Sequence, residues 1–205
     1  MVSAVILAAG QSQRMGRPKQ LLKLGNKTLL EHVVDKMLQT DVGELIVVVG
    51  AYRERIEEIL ANYRVKCVFN EHYSCGQGTS VAAGAAAVDD QASGILYAVA
   101  DQPFLSPVFI NKMIREFEET KPLIIKPEVG MPAIFDISLR SELMALTGER
   151  GGRQLMVKYK ERVMIIPGCP EIMTIDVDTE EDYLRIKELW EQLIINPLLG
   201  NSQLI

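Results

Sequence analysis

At 205 residues the chain is close to what one domain with one hydrophobic core needs. Hydrophobic residues make up 48% and charged residues 24%, which leaves no signature of disorder, collagen or a disulfide scaffold. A net charge of -5 with no lysine- or arginine-rich block argues against DNA or RNA as a partner.

The run Met1–Gly10 has no cationic leader and is too short to span a membrane, which predicts a cytoplasmic protein without a membrane partner. Val2–Leu7 reads as the first strand. Thr28–Gln39 reads as a helix, with Thr28 and Glu31 spaced as a capping box. Strand Glu44–Val49, helix Glu54–Asn62 and strand Val65–Phe69 follow, then the alanine-rich helical stretch Ser80–Val88 and strand Gly94–Ala100. This alternation predicts repeated β-α-β units in a mostly parallel sheet covered by helices. Beyond a helix at Pro107–Glu119 the pattern loosens: Leu123–Phe135 reads as irregular, with helices near Ser138–Leu146 and Gly152–Tyr159. Strands Val163–Ile166 and Met173–Asp176 precede a last amphipathic helix, Thr179–Ile194, and a tail from Asn196-Pro197 that is expected to fray. One domain over residues 1–195 and a C-terminal tail, 196–205, are expected. Cys67, Cys75 and Cys169 are odd in number and far apart, which predicts reduced thiols rather than a disulfide frame or zinc cluster.

In open α/β sheets ligands collect beyond the carboxyl ends of the strands, so the residues just after each strand carry the argument. After the first strand comes Leu7-Ala8-Ala9-Gly10-Gln11-Ser12-Gln13-Arg14-Met15-Gly16-Arg17-Pro18-Lys19. Small residues let backbone N–H groups approach phosphate oxygens, and Arg14, Arg17 and Lys19 can offset their charge. Neither the Walker pattern nor the dinucleotide fingerprint fits this spacing. A second place is Asp101, a carboxylate directly after an apolar strand; read alone it is better taken as a helix cap or turn aspartate. Near a triphosphate it needs a cation between, and magnesium takes carboxylate and phosphate oxygens together. The third is Asp176-Val177-Asp178-Thr179-Glu180-Glu181-Asp182, where Asp178 or Thr179 can also simply cap the last helix. Only one of Asp176 and Asp178 is expected to point into the cleft with Asp101.

Together these segments resemble the molybdenum cofactor cytidylyltransferases, enzymes of the glycosyltransferase-A-like fold. The matching pieces are L-A-A-G-x-S-x-R-M-G-x-P-K-x-L-L at Leu7–Leu22, G-x-G-T-S-V at Gly76–Val81, A-D-Q-P-F at Ala100–Phe104, R-G-G-R at Arg150–Arg153 and D-V-D-T-x-E-D at Asp176–Asp182. The first is highly specific; the others are modest but occur in the family's order, to about Trp190. The resemblance implies an α/β, single-domain, three-layer Rossmann-like nucleotidyltransferase. Leu7, Ala8, Ala9 and Gly10 would border base and ribose, Arg14 and Lys19 would hold phosphates and act in catalysis with Asp101, and Gly78 and Ser80 would contact the base. Asp101 and Asp178 would hold Mg2+.

The implied reaction transfers CMP from CTP to the terminal phosphate of molybdopterin or Mo-molybdopterin, releases pyrophosphate, and makes a molybdenum hydroxylase apoenzyme a candidate recipient. CTP rather than GTP is implied because related guanylyltransferases read L-A-G-G and G-x-D-K where this chain has Leu7-Ala8-Ala9-Gly10 and Gly16-Arg17-Pro18-Lys19. The chain departs from the family at Gly130-Met131-Pro132, where a Gly-His-Pro segment is usual. That keeps two alternatives in view: a same-fold transferase acting on a sugar phosphate or other phosphorylated precursor, and a non-catalytic carrier of the finished cofactor. His32 and His72 are expected in structural or solvent roles, and Phe69, Tyr73 and Phe104 as packing residues.

Overall fold

The structure is a computed structural model that describes residues 1–195; the tail expected to fray, 196–205, lies outside the described residues. Seven strands form one sheet in the order β5-β4-β1-β6-β8-β7-β9. They are β1 (Val2–Ala8), β4 (Glu44–Val49), β5 (Lys66–Phe69), β6 (Gly94–Val99), β7 (Ile124–Pro127), β8 (Ala133–Asp136) and β9 (Val163–Ile166). A small separate ladder pairs β2 (Lys23–Leu24) with β3 (Lys27–Thr28). Pairing is parallel from β5 to β6 and between β7 and β9, whereas β8 is antiparallel to both β6 and β7. β8 alone therefore runs against the rest.

Strand β1 is apolar at nearly every position because helices cover both faces, as central parallel strands require. Val2, Ala4, Ile6 and Ala8 point to one side, where they meet α1 (Leu29–Met37), α2 (Arg53–Leu60) and α4 (Pro107–Thr120). Val5 points to the other, with α3 (Gln77–Ala87), α5 (Arg140–Met144) and α6 (Arg153–Lys158). A third cluster seats α7 (Glu180–Ile195) on Leu22, Leu24 and Phe104. Here His32 Nε2 meets the Leu24 carbonyl at 2.7 Å and its ring sits edge-on to Trp190 with centroids 4.6 Å apart, a packing role. The capping box of α1 is present: Thr28 Oγ1 accepts from the Glu31 amide, and Glu31 Oε2 accepts from the Thr28 amide. No described helix is long and apolar enough to cross a membrane, and the three cysteines are unpaired.

Two expectations are corrected. The stretch Leu123–Phe135 is not irregular: β7 and β8 pair antiparallel with Ile124 opposite Phe135 and Ile125 opposite Ile134. Both strands are four residues long, and Pro127, Gly130 and Pro132 obscure their alternation. The expected strand Met173–Asp176 is instead a 3-10 turn, Glu171–Thr174. Its neighbours Ile172 and Met173 are both buried but in different clusters, so a short apolar run there serves two cores rather than one strand face.

Helix α3 approaches β1 closely at Gly84, where an added Cβ would lie 2.5 Å from Val5 Cγ1. Replacing a mid-helix glycine by alanine gains up to ~1 kcal/mol in propensity. Overpacking a filled core costs about 1–3 kcal/mol. The core term wins because the blocking atom belongs to a buried central strand. Gly84→Ala is therefore expected to lose roughly 1–2 kcal/mol of stability in chemical denaturation; a stabilised variant would show that α3 can shift away.

Candidate active site

The loop after β1 is shaped from within. Ser12 has a left-handed backbone (φ 54°), and its hydroxyl accepts from the Lys19 amide at 3.0 Å while donating to Gln20 Oε1 at 3.2 Å. Gln20 is only 3% exposed, and its Nε2 donates to the carbonyls of Ala8 and Gly10 at 3.3 and 3.1 Å. The carbonyls of Ala9 and Gln11 accept from the Ala51 amide and the Tyr52 hydroxyl. Four successive carbonyls are thus engaged by the protein. By contrast, the amides of Gly10, Gln11 and Ser12 find no protein acceptor among the described residues. Unused amides at the carboxyl end of a parallel strand make an anion-binding concavity.

Lys19 lies at the rim of the same cleft between two carboxylates that reach it from distant parts of the chain. Its Nζ is 2.5 Å from Asp101 Oδ2 and 2.7 Å from Asp178 Oδ1. Arg14 Nη1 is 2.9 Å from Asp178 Oδ2. Burial alone would lower the Lys19 pKa, but the charges and hydrogen bonds of Asp101 and Asp178 outweigh it and hold the ammonium above its ordinary value. The hydrogen bond from Lys19 and the charges of Lys19 and Arg14 hold Asp178 below the usual carboxylate range. Asp101 keeps one oxygen, Oδ1, buried without a hydrogen-bond partner among the described residues. Asp178 is not the cap of α7: Thr179 Oγ1 accepts from the Asp182 amide, and Asp182 Oδ2 accepts from the amide of Thr179. The reciprocal Thr179–Asp182 pair satisfies the helix start and frees Asp178 for the cations. Asp176 is exposed, yet burial and its neighbours Asp101 and Asp178 raise its pKa, so the three acids share one field although Asp178 alone of the pair 176/178 lines the cleft.

The cleft has a volume of about 460 Å³, and Leu7, Ala8, Ala9, Gly10, Arg14, Lys19, Ser80, Asp101 and Asp178 all line it. Gly78 does not. Its amide donates to the Gly148 carbonyl at 2.7 Å, and an added Cβ would lie 2.6 Å from the Thr147 carbonyl, so this glycine lets the start of α3 pack against the 147–149 loop. That packing presents Glu149 to the cleft. Tyr73 also lines the cleft, and Phe69 is 44% exposed under Arg53, so of the three aromatics expected only to pack, Phe104 alone is fully buried. Met131 packs against the second core cluster and is not a cleft residue. The sequence reading missed Gln20, whose signal is a glutamine where the flanking Leu21 and Leu22 demand burial.

Residues 4–163 match the family model of the MobA-like NTP transferase domain. The chain belongs to this family of nucleotidyltransferases. Nicotine blue oxidoreductase of Paenarthrobacter nicotinovorans is 31% identical over 198 residues, covering 90% of this chain and 96% of that protein. The probable molybdenum cofactor guanylyltransferase of Natranaerobius thermophilus is 32% identical over 129 residues, which are 63% of this chain and 61% of that one. The crystal structure of Rv0371c from Mycobacterium tuberculosis H37Rv in complex with manganese has a TM-score of 0.76 at 28% identity, over 91% of this chain and 97% of the other. The matched segment contains the loop and Asp101 and ends at the first residue of β9, so Asp178 lies beyond it.

The buried Gln20 tether yields a direct test. Gln20→Met keeps the side chain's bulk but removes its donors to Ala8 and Gly10, leaving two carbonyls unpaired. Stability should fall by about 1–3 kcal/mol. Nucleoside triphosphate affinity, measured by isothermal titration, should fall roughly tenfold as the loop amides lose their alignment. Unchanged affinity in a folded variant would mean that the loop keeps its shape without the tether.

Proposed function

We propose that this MobA-like protein transfers CMP from CTP to the terminal phosphate of molybdopterin, releasing pyrophosphate. The observation that carries the reading is the Lys19 ammonium held between Asp101 and Asp178 beside a loop whose amides are unused. In this reading the amides of Gly10, Gln11 and Ser12 receive triphosphate oxygens, while Ala8, Ala9 and Ser80 border the ribose and base. A terminal phosphate oxygen of the acceptor attacks the α-phosphorus, and the bond from that phosphorus to the pyrophosphate oxygen breaks. Lys19 and Arg14 offset the charge that moves onto the leaving group, so the chain's contribution is positioning and electrostatics. A phosphate nucleophile is already ionised near neutral pH, so no side chain has to act as general base.

The donor set fits a magnesium ion. Asp101 carries an orphaned buried oxygen, and Asp101 and Asp178 already converge on one cation. Among the described residues no group of three or more His, Cys, Asp or Glu gathers as a self-sufficient metal site. That suits magnesium, which is held by one or two carboxylates and completed by phosphate oxygens and water. Bound by Asp101 and Asp178, it would supply charge neutralisation on the triphosphate. The manganese complex described for Rv0371c supports a divalent ion here.

Met131 favours a second acceptor as the alternative, because a thioether packed against the core offers none of the polar contacts of the family's histidine. A same-fold transferase acting on a sugar phosphate or other phosphorylated precursor would share every step above except acceptor recognition. The oxidoreductase name of the Paenarthrobacter relative gives no account of a lysine clasped by two carboxylates next to an anion-binding loop.

Asp101→Asn and Asp178→Asn should each lower pyrophosphate release about 100-fold or more while the fold persists, since each removes one charge from the metal-binding pair. Near-normal rates in folded variants would end the assignment. Competition between CTP and GTP at equal concentration, with molybdopterin as acceptor, should favour CTP by roughly 10- to 200-fold, the range that a methyl-sized steric difference at Ala9 can supply. Equal use, or preference for GTP, would remove the cytidylyl reading. Release with a sugar phosphate but not with molybdopterin would transfer the function to the alternative acceptor.

A further inference from the structure

Three of the four carboxylate oxygens on Asp101 and Asp178 are held by cationic nitrogens: Lys19 Nζ takes one from each residue, at 2.5 and 2.7 Å, and Arg14 takes the second from Asp178 at 2.9 Å. The fourth, Asp101 Oδ1, is buried and unpartnered. Two acids thus face two bases within ion-pair distance. The ammonium sits between the carboxylates, where a divalent cation held by both would have to sit. A cation held by both carboxylates has to displace Lys19, whose ion pairs among the described residues are with these two acids, while Asp176 feels its charge from further off. A triphosphate changes this, because it brings anionic oxygens for both displaced side chains. The displacement needs little of the backbone. The Lys19 amide stays on Ser12 Oγ within a 3-10 turn, while its flexible four-carbon stem, 23% exposed and lining the cleft, is free to swing.

We infer that Lys19 is an internal cation that occupies the divalent-metal position in the nucleotide-free protein and yields it only to a metal arriving with a triphosphate. This rests on the reading of Asp101 and Asp178 as the metal-binding pair. Two consequences follow. Metal and nucleotide bind with positive coupling, each raising the other's affinity by the same factor. Lys19 also does two things with one charge: it excludes a lone metal ion, then moves to the phosphates where its charge is needed.

The test uses Mn2+ as probe, with binding followed by electron paramagnetic resonance and by the shift in melting temperature, on the full chain without nucleotide. Lys19→Met should bind bare Mn2+ at least about tenfold more tightly than the wild type, within the usual range of coupling between sites. Its melting temperature should rise more on adding Mn2+. Lys19→Gln, which keeps a polar group between the acids, should behave the same way if Lys19→Met folds poorly. Adding Asp101→Asn to either variant should abolish the gain. Folded Lys19 variants that bind bare Mn2+ no more tightly than the wild type would overturn the inference. The metal-pair reading is judged separately, by whether Mn2+ with CTP binds the wild type but not Asp101→Asn; if the wild type fails to bind Mn2+ with CTP, the reading and the inference fall together.

Discussion

The ion triad of Lys19, Asp101 and Asp178 is the constraint on which the rest of the site depends. It joins the loop after β1, the end of β6 and the segment before α7, and Lys19 and Asp178 are 159 residues apart in sequence. Partly buried ion pairs are poor sources of net stability, because desolvation offsets much of the attraction. Here the acids are 13% and 34% exposed, so the pairing is better understood as fixing the positions of three charges than as holding the domain together. Stability comes from the two apolar layers on either side of the sheet.

Neighbouring hydrogen bonds leave that triad lining the cleft. Thr179 and Asp182 satisfy the start of α7, so Asp178 is not spent as a cap. Gln20 and Tyr52 engage the loop carbonyls, while the amides of Gly10, Gln11 and Ser12, residues that line the cleft, find no acceptor among the described residues. Arg17 is paired with Glu180 outside the cleft, which leaves Arg14 and Lys19 as the cations that line it. Local hydrogen bonds that a folded chain must make anyway thus sort the many charges of these segments into those tied to the fold and those that line the cleft.

How much of this was legible depended on whether the signal was local. The strands β1, β4 and β6 are apolar at consecutive positions, and a loop of small residues and cations beside such a run can be recognised without a structure. Asp101 stood out as a carboxylate after an apolar strand. Asp178 was ambiguous because Thr179 and Asp178 are equally good caps on paper, and only the Thr179–Asp182 bonds decide between them. Gln20 was legible only as a glutamine beside Leu21 and Leu22; its partners are backbone carbonyls, which have no sequence signature. Gly78 was ambiguous because a glycine permits close approach of a ligand or of a loop, and here the backbone of Thr147 packs against it. β7 and β8 were hidden by prolines and by their shortness.

The reversed direction of β8 also sets where this protein is free to vary. β7 runs with β6, so the turn from Pro127 to Ala133 emerges on the same edge of the sheet as Asp101, and Gly130 lies near the Gln102 amide, 3.9 Å from where its Cβ would be. That turn connects two adjacent antiparallel strands and passes through none of β1, β4 or β5. Its length and side chains can therefore be exchanged as a hairpin tip is exchanged, without moving the strand that carries the loop after β1. A single inverted strand thus gives the fold a separable rim beside the floor that β1 and β6 form.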